Sequence, residues 1–527
     1  MKRDFAQLGT GPFDVLVIGG GVYGAWIAYD AALRGLRVAL VEQNDWGSGT
    51  SQSSSKLIHG GLRYLEHLKF GLVQRALRER RRLATLAPHR VHPLRFGLPV
   101  YRGDRVGRLR LEAGLWLYDR LAGNHQPVAP HTRMSRDEAR KSWPFLTDAG
   151  LRGAFTYGDC GTDDARFTLE VVAGAESAGA VCVNHAPVEE LVRENGKIVG
   201  AVVTDAESGA AEIVRASVTV NVTGPWATGI KGLPEPARGL ARMVKGVHLI
   251  LPPLPTNDAF LLTARRDGRV FFVIPWYGQT LLGTTDTDYV GDPGRVEVTG
   301  DDIEYLLTEA NRALGGSLWS DSDVRGGFAG VRTLRNSPDA SPTDVTREWS
   351  LEAPEAGLLI PIGGKLTSAR AEAGIVAERA GEMVGRSRWP GRTRKRSFPW
   401  APAGDNYPAW ESAAMVSGTV CGMDPETARQ AARRYGTTVA ILHARLKERP
   451  ELARRIVPDL PFCRGEVVHA ARHEMARTLS DILRRRVPVS ILARLDAGVL
   501  EDAAALAGEV LGWDVGRIRR EAAGEIR

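Results

Sequence analysis

The sequence predicts an α/β fold in which a parallel βαβ unit carries an inserted mixed or antiparallel sheet and is followed by a C-terminal helical domain. Three observations lead to this fold class. A strand, a glycine-rich turn, a helix and a second strand follow one another within the first 42 residues, and short alternating strands begin near residue 181. Beyond residue 408 the chain is rich in Ala, Arg and Leu at helical spacing, and 527 residues are enough for two or three domains with their own cores.

The βαβ unit is predicted at residues 13–42. A short run rich in β-branched residues at 13–18 fits a buried parallel strand, and it leads into the turn Gly19-x-Gly21-x-x-Gly24. A helical stretch follows and stops at Gly35, and a second strand then ends in an acidic residue.

The three glycines of this turn, Gly19, Gly21 and Gly24, have separate roles in a dinucleotide site. The first permits a tight turn, the second lets the backbone approach a pyrophosphate, and the third lets the helix pack on the strand. Glu42 ends the second strand, where a carboxylate accepts ribose hydroxyls and repels the 2′-phosphate of NADP. We therefore predict a Rossmann-like dinucleotide-binding unit.

Further predicted helices and strands define the regions of the chain that follow the βαβ unit. Residues 69–87 and 109–121 predict amphipathic helices, and a strand at 358–362 with the helix after it returns to the first unit. The segments with the clearest helical spacing near the C-terminus are 428–434, 465–486 and 502–511. We predict four regions: the first part of the dinucleotide-binding unit at 1–80, an interleaved region at 81–385 in which that unit returns at about 355–385, a basic linker at 386–407, and the helical domain at 408–527.

The segment after Glu42 favours a flavin over a nicotinamide cofactor. Residues 45–66 are dense in glycine and small hydroxyl side chains, which suit the lining of a pyrophosphate and a flavin ring. The same segment carries Lys56, His59, Arg63 and Tyr64 at close intervals. A merely flexible Ser/Gly loop would not need those four side chains.

A series of short motifs runs in order from residue 13 to about residue 375. The motifs lie at 18–24, 50–51, 54–66, 87–89, 163–166, 221–226, 244–248, 272–276, 283–286, 329–332, 346–347 and 363–367. Together they resemble the FAD-dependent glycerol-3-phosphate dehydrogenases, within the flavoproteins typified by D-amino-acid oxidase. The string Lys56-Leu-Ile-His-Gly-Gly-Leu-Arg-Tyr-Leu-Glu66 is the part that is specific to this family.

The resemblance implies FAD as the cofactor. The implied reaction moves a hydride from C2 of sn-glycerol 3-phosphate to flavin N5, gives dihydroxyacetone phosphate, and passes the electrons to a membrane quinone. The residues that it assigns to the cofactor are Gly19, Gly21, Gly24, Glu42, Gly49, Thr50, Ser51, Ser55, Lys56, Leu57, Gly224, Gly363, Gly364, Lys365, Leu366 and Thr367.

The same resemblance implies a cradle for a phosphate dianion, for which guanidinium groups are suited because they bind phosphate bidentately. The implied substrate contacts are Arg63, Tyr64, Arg347 and Lys365, with Arg332 as a catalytic residue that also contacts phosphate. Lys365 follows two glycines at a predicted helix start, where its charge also suits an anionic reduced flavin.

Two histidines, His59 and His248, are candidates for the catalytic proton acceptor, since imidazole titrates near neutrality. We favour His248 slightly, although the sequence offers no geometric reason to separate the two. Thr333 and Ala369 depart from the family pattern, which commonly has Pro and Tyr at these positions. These departures keep open a related flavoprotein that oxidises another hydroxy or amino substrate or passes electrons to oxygen, and a non-enzymatic flavoprotein is the third reading.

The surplus of seven positive charges is unevenly distributed. Residues 63–120 carry 14 Lys+Arg against 5 Asp+Glu, residues after 386 are also basic, and the region between is acidic. The basic stretch predicts peripheral contact with an anionic membrane surface, with Trp116 and Tyr118 at the interface. An ordinary solvated helix face is the competing interpretation. No nucleic-acid-binding module supports the alternative that the basic pI raises.

The four cysteines lack a Cys-x-x-Cys pair, so we predict neither a disulfide framework nor a metal site. No secretory signal pattern is present, and the apolar runs are too short to cross a bilayer. We therefore expect a cytoplasmic protein that attaches peripherally to the cytoplasmic membrane. Homodimerisation is an option that the sequence leaves open.

Overall fold

A computed structural model describes residues 1–336, 349–386, 390–404 and 406–525. Within these ranges the strands form two sheets. The strands are β1 (Phe13–Ile18), β2 (Val38–Val41), β3 (Leu57–Ile58), β4 (His92–Tyr101), β5 (Thr132–Met134), β6 (Leu151–Gly161), β7 (Val181–Val183), β8 (Val188–Glu194), β9 (Lys197–Thr204), β10 (Ala211–Asn221), β11 (Ala241–Leu251), β12 (Ala259–Thr263), β13 (Val270–Trp276), β14 (Gln279–Gly283), β15 (Thr287–Asp288), β16 (Gly326–Arg335), β17 (Ser350–Glu355) and β18 (Leu358–Ile362).

The helices connect the strands and then form the C-terminal region. They are α1 (Val22–Leu33), α2 (Phe70–Leu86), α3 (Arg108–Ala122), α4 (Arg136–Ser142), α5 (Asp164–Ser177), α6 (Glu235–Arg238), α7 (Gly300–Leu314), α8 (Ala369–Met383), α9 (Tyr407–Val420), α10 (Pro425–Tyr435), α11 (Val439–Glu448), α12 (Arg464–His473), α13 (Val489–Leu492), α14 (Ala497–Leu511) and α15 (Val515–Gly524). None of the described helices is long and apolar enough to cross a membrane.

The first sheet contains the predicted βαβ unit. Its central strands run parallel in the order β18, β10, β1, β2 and β7. Alternate residues of β1 face opposite sides, as the period of a strand requires: Val15 and Val17 pack with α1, α5 and α8, whereas Leu16 and Ile18 pack toward β8 and β9. In the region of alternating strands predicted from residue 181, β10 is one long strand whose first half pairs with β9 and whose second half pairs with β1.

The second sheet lies in the inserted region, and most of its neighbouring strands are antiparallel. Its main path is β15, β11, β14, β13, β12, β4, β6 and β3, with β16 on β11 and β5 on β6. The strands β4 and β6 belong to this sheet although the sequence analysis did not predict them. One face packs against α7, and the core on the other face continues into the C-terminal helices.

The C-terminal region is helical, as predicted, but residues 465–486 do not form one helix. The helix α12 ends at His473, and a separate π-helical turn follows at Asp481–Arg486. Met475 adopts a positive φ of 54° shortly after α12, a conformation that a continuous helix cannot contain. This break places two arginines against the first sheet's loop region.

Candidate active site

A cleft of about 540 Å³ lies between the two sheets. One wall is formed by the carboxyl ends of β1, β2 and β10, and the other includes residues of β12, β13 and β16. In parallel sheets, ligands bind outside the carboxyl ends of the strands. The cleft is therefore where the predicted dinucleotide would lie.

The glycine turn at this edge leaves no space for side chains. Gly19 has a φ of +113°, and a Cβ there would lie 2.7 Å from the carbonyl oxygen of Val222. A Cβ on Gly24 would lie 1.8 Å from the carbonyl oxygen of Gly19, so the third glycine allows close packing and does not itself line the cleft. The turn has the geometry that the motif predicts.

The carboxylate of Glu42 lies at the cleft beside this turn. Its two oxygens accept hydrogen bonds from the backbone N–H groups of Gly20 at 2.6 Å and Asn44 at 2.9 Å. Burial raises the pKa of Glu42, and these two amides only partly offset that effect. Each oxygen can still accept a second hydrogen bond, as a ribose hydroxyl would supply.

The loop after β2 and the loop before α8 both line the cleft. Ser51 accepts the N–H of Val22 through its hydroxyl at 2.9 Å, which ties the first loop to the start of α1. In the second loop, a Cβ on Gly364 would lie 1.7 Å from the Tyr23 hydroxyl oxygen, and the Lys365 N–H donates to that oxygen at 2.9 Å. Both loops are thus held against the first helix.

Most of the predicted cofactor residues line this cleft. Lys56 and Gly24 are the exceptions; the Lys56 side chain is buried, and its ammonium lies 2.6 Å from the Asp164 carboxylate. The predicted cofactor residues that line the cleft are Gly19, Gly21, Glu42, Gly49, Thr50, Ser51, Ser55, Leu57, Gly224, Gly363, Gly364, Lys365, Leu366 and Thr367.

Five of the predicted catalytic and substrate residues line the same cleft. His59, Arg63, Tyr64, Arg332 and Lys365 all line it. The Lys365 ammonium nitrogen lies 3.6 Å from the centre of the Tyr64 ring, and the backbone N–H of His59 donates to the Thr367 hydroxyl at 3.1 Å. Arg347 lies outside the described residues.

The guanidinium of Arg332 is held in a fixed orientation. Nη1 donates to the Asp286 carboxylate at 2.7 Å, and Nη2 donates to the Thr284 hydroxyl at 2.9 Å. The side chain stays 23% exposed and borders the cleft. A substrate anion that enters the cleft would therefore meet a preoriented guanidinium. The negative charge of Asp286, which already pairs with Arg332, would repel that anion.

His248, the histidine that the sequence analysis favoured, lies behind the cleft wall. Its side chain is buried, stacks on Phe328 at 4.9 Å, and has Nε2 2.9 Å from the Ser55 hydroxyl. Burial lowers the pKa of His248 well below its usual value, and the positive charges of Arg332 and Lys56 lower it further. The ring is not among the groups that line the cleft, whereas His59 is.

Family models and relatives agree on where this chain belongs. A model described as FAD dependent oxidoreductase matches residues 14–359, and a model of the C-terminal domain of alpha-glycerophosphate oxidase matches residues 401–518. A protein named glycerol-3-phosphate dehydrogenase 2 from Mycobacterium tuberculosis is 38% identical over 98% of this chain and 88% of its own length. The chain belongs to the FAD-dependent glycerol-3-phosphate dehydrogenase family.

Two further comparisons support membership in the FAD-dependent glycerol-3-phosphate dehydrogenase family. A protein named glycerol-3-phosphate dehydrogenase from Synechocystis is 35% identical and covers 93% of this chain and 91% of its own. The crystal structure of a glycerol-3-phosphate dehydrogenase from Bacillus halodurans complexed with FAD superposes with a TM-score of 0.80 at 27% identity. It covers 98% of this chain and 95% of its own. The predicted fold class and enzyme class are confirmed.

FAD, the predicted cofactor, is confirmed by the family, and the cleft of this family member fits it. Gly19 and Gly364 adopt positive φ, and a Cβ on either would collide with Val222 or Tyr23; the Glu42 carboxylate lines the cleft, where it could accept ribose hydroxyls. The residues that would hold FAD are therefore those of the glycine turn, the loop after β2 and the loop before α8.

Three polar groups of the cleft region, Asp286, Tyr23 and Glu372, were not among the predicted site residues. Asp286 orients Arg332, while the Tyr23 hydroxyl donates to the Glu372 carboxylate and supports the loop before α8. Asp286 lies inside the motif at 283–286, and Tyr23 lies inside the glycine turn motif at 18–24. Asp286 and Tyr23 thus belong to recognised motifs and Glu372 does not, but the roles of all three depend on contacts between distant segments.

Proposed function

We propose that this protein oxidises sn-glycerol 3-phosphate at C2 to dihydroxyacetone phosphate with bound FAD. One observation carries the proposal: three cationic side chains, a tyrosine and a histidine lie in the same cleft as the cofactor residues. These side chains are Arg63, Arg332, Lys365, Tyr64 and His59. Charge-assisted hydrogen bonds from guanidinium and ammonium groups suit a phosphate dianion.

The reaction needs one proton acceptor and one electron acceptor. Oxidation of the alcohol removes a hydride, which carries two electrons, from C2 and a proton from the hydroxyl, which leaves a carbonyl. FAD, when bound, supplies the acceptor for the electrons and the C2 hydrogen. We propose His59 as the acceptor of the hydroxyl proton, because His59 lines the cleft and His248 does not.

We propose a positioning role for His248 through Ser55. Ser55 lines the cleft, and its hydroxyl lies 2.9 Å from Nε2 of His248. A neutral imidazole, which the lowered pKa favours, can fix the direction of that hydroxyl without adding a second charge to the cleft.

The test is an anaerobic reduction of the purified holoenzyme. Mixing with sn-glycerol 3-phosphate should bleach the visible absorbance of the flavin and produce dihydroxyacetone phosphate in equal amount. Glycerol, which lacks the phosphate, and small amino acids serve as controls. Bleaching by an amino acid, with none by sn-glycerol 3-phosphate, would support the alternative of an amine-oxidising flavoprotein.

We propose a membrane quinone as the final electron acceptor. A second cavity, of about 910 Å³, shares Leu62, Arg63, Leu261 and Val270 with the cleft. Its lining includes Leu68, which is 72% exposed. The rest of the lining mixes apolar with charged side chains. A cavity with apolar wall residues beside the cofactor cleft suits a polar ring with an apolar tail. Comparing the rates with a short-chain quinone and with oxygen tests the proposal.

We propose that the surface around α3 makes the peripheral membrane contact. Leu109 is 83% exposed and Trp116 is 58% exposed, and the exposed Arg102 and Arg110 lie nearby in the chain. Tyr118, predicted at this interface, is instead buried and donates to Asp159 at 2.8 Å. Co-sedimentation with anionic vesicles should be lost at high salt and in the Trp116→Ser variant.

Homodimerisation, which the sequence left open, is a separate question that light scattering of the purified protein tests.

A further inference from the structure

The segment 45–52 after β2, the cofactor loop, is connected to the C-terminal helical region first through the buried carboxylate of Asp45. Arg486 donates to both Asp45 oxygens, from Nη1 at 2.5 Å and from Nη2 at 2.8 Å. Arg485 donates to the same carboxylate from Nε at 2.5 Å. Asp45 has no exposed surface and lies three residues after Glu42, so these ion pairs connect distant parts of the chain.

The residues after Asp45 pack directly on the glycine turn. The Gly47 N–H donates to the carbonyl oxygen of Gly20 at 2.9 Å. A Cβ on Gly20 would lie 2.5 Å from the fully buried ring of Trp46, so indole and turn are in direct contact. Asp45 itself does not line the cleft. Asp45 therefore acts on the glycine turn through the two residues that follow it, Trp46 and Gly47.

A second connection reaches the loop seven residues later. Arg485 Nη1 donates to the Gln52 side-chain oxygen at 3.5 Å, and Nη2 donates to Asp481 at 2.6 Å. Gln52 lies between Ser51 and Ser53, which both line the cleft. The two arginines thus contact both ends of the segment 45–52.

The same cluster contains a set of groups that could suggest a metal ion. Ligand atoms of Asp45, His185 and Asp481 lie within 4.8 Å of one another. Arg485 and Arg486 already donate to the carboxylate oxygens, and their positive charges oppose a cation there. The arrangement is a buried ion-pair network, in which removal of one partner leaves an uncompensated charge.

We infer that Arg485 and Arg486 are positioning residues for FAD, so that docking of the C-terminal helices and cofactor binding are coupled. The network fixes Asp45, Trp46 and Gly47 against the glycine turn, and this preorganises the backbone that meets the pyrophosphate. Coupling of this kind is reciprocal: FAD must stabilise the docked C-terminal segment by the same factor by which docking strengthens FAD binding.

The first test compares two variants of the full-length chain. Arg485→Met removes contacts to the cofactor loop, whereas Glu466→Gln weakens the buried Arg434–Glu466 pair, which lies within the C-terminal helices. Titration of the FAD-stripped proteins, followed by flavin fluorescence, should show at least about a tenfold loss of FAD affinity for Arg485→Met. Glu466→Gln should lose less than about threefold, even where both lower the melting temperature. Equal losses, or no loss in Arg485→Met, overturn the inference.

The second test needs no substitution and remains informative if Arg485→Met does not fold. Hydrogen exchange is measured on the unaltered chain with and without FAD. The amides of 481–486 should exchange at least about fivefold more slowly with FAD, while those of α11, which packs within the C-terminal helices, change less. The same exchange rate at 481–486 with and without FAD contradicts the coupling.

Discussion

The ammonium group of Lys365 lies over the face of the Tyr64 ring, with Nζ 3.6 Å from the ring centre. The two residues come from different segments that meet in the cleft, so this contact joins the loop before α8 to the turn that precedes α2. A cation held against an aromatic face has a defined position, and a phosphate group in the cleft can use that position.

Tyr64→Leu should raise the KM for sn-glycerol 3-phosphate by about tenfold, because Lys365 loses the ring that orients it. Tyr64→Phe keeps the ring face and should change KM by less than about threefold. Steady-state kinetics with an artificial electron acceptor gives both values. If the Phe variant loses as much as the Leu variant, the hydroxyl of Tyr64 and not its ring makes the important contact.

The position of His59 on the cleft wall predicts unequal effects for the two candidate histidines. His59→Gln should lower the rate of anaerobic flavin reduction by at least about 10²-fold, since general base catalysis is lost. His248→Gln should cost about tenfold or less, because it acts through Ser55. Stopped-flow absorbance measures both rates at matched FAD content. A larger loss in the His248 variant would reverse the assignment.

Arg332 should be sensitive even to a change that keeps its charge. Arg332→Lys cannot donate to Thr284 and Asp286 in the present fork geometry, and we expect the KM for sn-glycerol 3-phosphate to rise about tenfold or more. The control is Arg325→Lys, because Arg325 directly precedes β16 but does not line the cleft. FAD content should be normal in both variants. Equal KM values in the two variants would remove Arg332 from the substrate site.

The local patterns of the sequence predicted the parts of the fold that short segments determine. The strand β1, the glycine turn and Glu42 follow from residue types at fixed spacing, and the structure has them where they were predicted. The break after α12 was missed because helical composition continues through it, while the arginines at 485 and 486 turn toward a carboxylate 440 residues away. Contacts of that range leave no periodic signal in a single sequence.

In the candidate site too, features set by short segments were predicted and features set by long-range packing were not. His59, Arg63 and Tyr64 belong to one motif, 54–66, and their proximity in the chain places all three in the cleft. His248 came from a separate motif on β11, and its distance from the cleft depends on how the second sheet packs on Ser55. Residue type and motif favoured His248 slightly, without a geometric reason, whereas the burial and neighbours of the two histidines favour His59 as the group in contact with the cleft.

Acid should destabilise the protein partly through His469. Burial of this imidazole lowers its pKa from 6.5 to about 4, and the positive charges nearby act in the same direction while Glu474 opposes them. Between these values the unfolded chain binds a proton that the folded chain does not, so stability falls as the pH falls. His469→Gln should lose about 2 kcal/mol less stability than the parent between about pH 7 and about pH 5.

Denaturant unfolding at the two pH values gives this difference directly. His125→Gln, which alters an exposed histidine, is the control and should keep the pH dependence of the parent. If His469→Gln also keeps it, the acid sensitivity comes from other buried groups.

The contact between Gly24 and Gly19 makes the glycine turn a test of the cofactor site that does not depend on the substrate. Gly24→Ala would place a Cβ 1.8 Å from the Gly19 carbonyl oxygen, so α1 must shift from β1 and the turn must distort. We expect at least about a hundredfold loss of FAD affinity, together with a lower melting temperature. Gly114→Ala is the matched control: Gly114 lies within α3, and a Cβ there meets nothing within 4 Å. Because alanine favours helix over glycine, this control should bind FAD normally and be stabilised by up to about 1 kcal/mol. Normal FAD binding by Gly24→Ala would mean that the turn does not approach the cofactor as proposed.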